Sequence, residues 1–180
     1  KVVADEFMTM LKITHEMGQI VHPHVFDSSL SLDSRKRIME LDVKVNKLER
    51  SVRKRVISHL TMNRTHIPYC VLLMSLVKDA ERIGDYVKNI SEVAELGGGT
   101  IPTGPLRDEL ADLINIAMQL FHETPLVIAG QDREHAAELL RIKVGASKRS
   151  DKLLVELSKS NLNAAETTSM VLLTRFHKRL

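Results

Sequence analysis

The sequence predicts an all-α fold of two tandem antiparallel three-helix bundles, up-down in the manner of spectrin repeats. Apolar residues recur at helical spacing through long segments. The aromatic share is only 3% with no Trp, and the apolar bulk is Leu, Ile, Val and eight Met, which suits helix packing better than sheet stacking. The pattern of the first half also returns in the second across a break rich in Gly and Pro.

In chain order, the periodicity predicts a first helix over Ala4–Phe26, a second over Ser34–Met62 and a third over Pro68–Leu96, ended by Gly97-Gly98-Gly99. Pro105 is placed as the first residue of a fourth helix reaching Val127. A fifth runs over Asp132–Lys159, and a sixth starts at Asn163, where Asn163 and Glu166 have the form of a capping box. Asp33–Leu41 corresponds to Asp132–Leu140, and Glu81-Arg82-Ile83 to Lys178-Arg179-Leu180. The expected organisation is therefore a first repeat over 1–97, a linker over 98–104 and a second repeat over 105–180 whose sixth helix is cut short at Leu180. The chain opens on Lys1 rather than Met, so it reads as a fragment of something larger.

Composition narrows the classes of function. With 43% hydrophobic and 27% charged residues the chain reads as an ordinary soluble globular protein. One cysteine, Cys70, excludes an internal disulfide and any Cys-rich metal site, and it reads as a small buried residue. The longest apolar run, 69–77, is about half the length of a membrane span. No Walker or Rossmann glycine loop is present, because Gly97-Gly98-Gly99 lacks the following Lys-Ser/Thr, and no Glu-x-x-His supports a di-iron enzyme.

The chemistry concentrates in Lys78–Ile90. Glu81, Asp85 and Asn89 are four apart and share one helix face, while Leu72, Leu76, Ile83, Tyr86, Val87, Ile90, Val93 and Ala94 form the expected core stripe. On the second helix Ile38, Leu41, Val45, Leu48 and Val52 are the buried stripe, leaving Asp42, Asn46, Glu49 and Arg53 beside it. In an antiparallel hairpin turning between Asn63 and Arg64, Asp42 comes level with Asp85 and Asn46 with Glu81, across helices about 8–10 Å apart. Carboxylates so placed repel one another when empty, and a cation relieves that repulsion. Oxygen donors without Cys or nearby His favour Mg, Ca, Mn or ferrous/ferric iron over structural zinc. The competing reading is that these acids form solvated ion pairs with Lys78, Arg82 and Lys88.

The Glu-Arg-Ile-Gly-Asp element with its following Asn-Ile, and Leu41–Glu49 with its Asp-x-x-Val-Asn-x-x-Glu-like pattern, resemble the PhoU family of phosphate-signalling proteins. With the repeat, the resemblance covers nearly the whole chain. It implies the two-bundle architecture and metal sites at the paired acidic motifs, carried here onto Asp42, Asn46, Glu81 and Asp85, with Glu49, Asp79 and Asn89 as secondary candidates. It further implies a non-enzymatic regulator, cytoplasmic and commonly dimeric. Such a protein works at the inner face of the membrane with a phosphate transporter and a sensor kinase. An alternative is the cytoplasmic regulatory domain of a sodium/phosphate cotransporter-type membrane protein. In the second repeat the positions equivalent to Asp42, Asn46 and Glu81 are Arg141, Gly145 and Lys178, so one metal site is expected, in the first bundle only.

Other groups carry weaker signals. His22-Pro23-His24, with His15 and Asp27, reads as exposed histidines rather than metal ligands. Basic ridges at Lys47, Arg50, Arg53, Lys54 and Arg55 and at Arg141, Lys143, Lys148, Arg149 and Lys152 read as solvated faces, with peripheral contact to anionic lipid or an acidic partner as the alternative. Few aromatics are present to stack on bases, so no nucleic acid is expected.

Overall fold

The computed structural model describes residues 2–26, 30–62, 65–97 and 101–180. Gly98, Gly99 and Thr100 of the break, Asn63 and Arg64 of the expected turn, and Asp27 lie outside them, as does the side chain of Ala94. Six helices are described: α1 (Val2–Val21), α2 (Leu32–Met62), α3 (Ile67–Gly97), α4 (Pro105–Gly130), α5 (Arg133–Leu157) and α6 (Ala164–Arg179).

The first helix stops five residues earlier than the periodicity suggests. Pro23 removes a backbone donor and disfavours helical geometry at the residue before it, so the chain tightens into a 3₁₀ turn over His22–His24. Conversely, α4 runs past Val127 with Pro125 inside it, and ends where Gln131 enters the left-handed region at φ 53°. Asp132 caps α5 by accepting the His135 backbone N–H at 3.0 Å. Asn163 and Glu166 form the expected reciprocal capping box at the start of α6.

Helices α1–α3 pack as one bundle and α4–α6 as a second, joined through α1 on α4 and α3 on α6. The order across the molecule is therefore α2, then α1 with α3, then α4 with α6, then α5. Met10, Met17, Leu41, Val45 and Val77 fill the first core and Leu110, Ile114, Leu153, Met170 and Leu173 the second. Gly18 lets α1 and α4 approach closely, since a Cβ there would stand 3.1 Å from the Phe121 ring. In the second bundle Arg149 clamps α5 to α4, donating to both carboxylate oxygens of Glu109 at 2.8 Å and to Asp112 at 2.5 Å. That fork raises the Arg149 pKa further and holds the Glu109 carboxyl below its usual range.

The core stripe of α3 differs from the expected one at its start. Leu72 and Leu76 are exposed, and the inward face runs through Cys70, Leu73, Val77, Ala80, Val87, Ile90 and Val93. An apolar run of this length satisfies more than one helical phase, and packing against α1 and α2 selects the phase one residue further on. Cys70 is buried, as expected.

Candidate functional site

The site is built on the facing sides of α2 and α3. Gly84 sits where α3 crosses both neighbours: a Cβ there would lie 3.5 Å from Thr14 of α1 and 3.7 Å from Val45 of α2. Asp42 is buried to 8% exposure, although it is one residue beyond the core position Leu41. Its Oδ2 accepts from the Asn46 amide at 3.3 Å, one turn along the same helix.

Lys88 is the residue that joins the two helices here. Its Nζ stands 3.7 Å from Asp42 Oδ2 and 3.9 Å from Asp85 Oδ1. Glu81, one turn before Asp85, accepts from Lys78 at 2.6 Å. Partial burial pushes the Asp85 carboxyl up, and the charges of Glu81 and Asp42 add to the rise, while Lys88 and Lys78 oppose it. Asp85 thus feels Glu81 on its own helix and Asp42 across the hairpin.

The secondary candidates are occupied more locally. Glu49 accepts from Arg53 at 3.2 Å, Asp79 pairs with Arg82 at 3.2 Å on the exposed face, and Asn89 is half-buried one turn beyond Asp85. The ion pairs of the competing reading, Lys78 with Glu81, Arg82 with Asp79 and Lys88 with Asp85, are therefore all present. Among the described residues no three His, Cys, Asp or Glu side chains form a ready metal cage. The bridging role of Lys88 was not legible from the stripe, because an i,i+3 partner of Asp85 looks the same in sequence whether or not it also reaches a second helix.

In the second bundle the equivalent positions hold no such cluster. Arg141 is exposed, Gly145 faces open space, and Lys178 pairs with Asp151. The histidines near Pro23 are not exposed as expected: His22, His24 and His15 are all half-buried. His15 stands edge-on to Phe121 and 5.3 Å from His122, whereas burial holds His177 of α6 well below its ordinary pKa, with His22 contributing.

Residues 9–94, which hold α2, all but the last turn of α3 and both acidic motifs, match the family model described as PhoU domain. That stretch is similar to a PhoU domain. A curated relative, the "Phosphate-specific transport system accessory protein PhoU homolog" of Synechocystis, is 28% identical over 144 residues, covering 78% of this chain and 62% of the relative. The chain thus spans under two thirds of that relative's length. The crystal structure of PhoU from Pseudomonas aeruginosa superposes with a TM-score of 0.83 at 18% identity, over 98% of this chain and 87% of that one. The phosphate transport system regulatory protein PhoU from Streptococcus pneumoniae gives 0.80 at 12% identity, over 98% and 85%. Both bundles, including the one beyond the PhoU domain match, therefore have the fold of PhoU structures.

Proposed function

We propose that this chain is a non-enzymatic regulatory accessory of phosphate transport, a helical docking protein whose acidic site takes up a hard cation. The phosphate transport roles named for the Synechocystis and Streptococcus proteins support the phosphate connection. The carboxylates of Asp42, Glu81 and Asp85, on the facing sides of one hairpin inside the PhoU-like stretch, carry the rest of the reading. Asp42, Asn46, Glu81 and Asp85 would hold the ion, with Glu49, Asp79 and Asn89 in reserve. Their oxygen-only chemistry suits Mg, Mn or Fe, and burial, with the charges of Glu81 and Asp42 beside it, raises the cost of an ionised Asp85 that a cation would relieve. When bound, the metal supplies positive charge that ties α2 to α3. Phosphate transporter components and a sensor kinase are the proposed partners, with a homodimer at the cytoplasmic face of the membrane as the working form.

Metal content and titration on the purified protein test this reading, comparing wild type with Glu81→Ala/Asp85→Ala under manganese, magnesium and iron. Binding near one equivalent that vanishes in the double variant is the expected result, and absence of binding in both proteins would sink the metal site. Lys88→Met gives a second check. Removing the ammonium leaves Asp42 buried beside two other acids, so stability at pH 7 is expected to fall by about 1–3 kcal/mol. Added manganese is expected to recover that loss in chemical denaturation. A deficit that manganese leaves unchanged would argue for an ion-pair role alone.

A further inference from the structure

The far end of the α2–α3 hairpin has a composition unlike the rest of the chain. From Arg50 to Lys78 the sequence contains six Lys or Arg and no Asp or Glu. In the same segment Ile57, Met62, Ile67, Tyr69, Val71 and Leu72 are all exposed, Met62 to 82%. Arg53 and Arg55 are paired, with Glu49 and with Glu6 at 3.4 Å, whereas Arg50 and Lys54 lie on the exposed surface of α2. We propose that this hairpin end is a docking surface for an anionic phospholipid bilayer.

The distribution of the apolar side chains favours a lipid over a protein face. At about 100° per residue, Ile67, Val71, Leu72 and Tyr69 spread over an arc of roughly 200° around α3, while a helix that docks in one groove presents a stripe nearer 100° wide. A deformable medium accepts such an arc and a single protein surface does not. Along the α2 axis the exposed cations Lys54 and Arg50 lie about 12 Å and about 18 Å behind Met62. Apolar tips of peripheral proteins enter roughly 5–10 Å into the headgroup and acyl boundary. Lys54 then stands among the phosphates, and Arg50 reaches them through its long side chain. Glu49 and Glu6 stand at this level too, each paired with a cation, Arg53 and Arg55 respectively.

This surface deepens the membrane-face placement proposed above but stands on its own residues, apart from the acidic site. Flotation of the full-length protein with vesicles of phosphatidylcholine, with and without phosphatidylglycerol, tests it. Association is expected with the anionic vesicles only, weakening as salt rises, and falling about tenfold or more in Arg50→Glu/Lys54→Glu. Tyr69→Ser/Leu72→Ser is expected to lose binding while keeping helical content and metal titration, and Leu140→Ser/Val144→Ser, exposed on α5, to bind as wild type. Equal binding to neutral vesicles, no binding to either, or retention by the Tyr69→Ser/Leu72→Ser variant would overturn the proposal. So would vesicle-free self-association lost in that variant, which would give the face to a second copy of the chain. Failure of metal binding with vesicle binding intact would remove the cation from the reading above and leave this surface standing.

Discussion

Replacing Phe121 with alanine is expected to destabilise the protein by roughly 3–5 kcal/mol, the range for removing a buried aromatic from a packed interior. Phe121 is 7% exposed on α4, and its ring lies on Gly18 of α1 and edge-on to His15 at 5.5 Å. It therefore fills the seam between the bundles as well as the second core. It also walls an apolar groove of about 330 Å³ lined by Leu11, Leu120, Ile128 and Leu139, so little surrounding material can collapse into the vacated space. Chemical denaturation followed by circular dichroism reads the loss, with the transition expected to broaden or split as the bundles uncouple. A cost under about 1 kcal/mol would mean that the seam does not depend on this ring.

Acid is expected to weaken the fold through His177. This imidazole is buried on α6, where its neutral Nδ1–H donates to the Leu173 carbonyl at 2.8 Å. Burial lowers its pKa from 6.5 to about 4; the nearby His22 charge acts in the same direction, and the Leu173 hydrogen bond opposes it. Between those values the unfolded chain carries the proton and the folded chain does not. The stabilisation is therefore complete above about pH 6.5 and is lost as the pH falls toward 4, a change of about 3 kcal/mol. His177→Leu removes this component, so the pH dependence of unfolding from 7 to 4 is expected to be shallower in the variant. Parallel curves would show that His177 does not titrate as a buried neutral group.

The helix count, the two-bundle order and the capping box were legible because long periodic segments and local capping chemistry act over a few residues. Helix ends were read less well where proline was involved. Pro23 stopped α1 early, while Pro125 was absorbed into α4, and sequence does not reveal whether packing compensates the lost backbone donor. The acidic stripe was visible at i, i+4 spacing, but the role of Lys88 depends on how α3 faces α2. That rotation places Gly84 against Val45 and Thr14, contacts between residues far apart in sequence. The exposure of Leu72 had the same origin, since a continuous apolar run does not declare which of its sides is inward.

Tyr86 follows Asp85 directly on α3, yet its ring lies 6.3 Å from Phe176 of α6, on the opposite bundle. One residue thus faces the acid cluster and the next faces the neighbouring bundle. A stiff rod cannot turn one of these side chains about its axis without turning the other. A rotation of α3 that turned Asp85 toward or away from α2 would therefore carry the Tyr86–Phe176 contact with it.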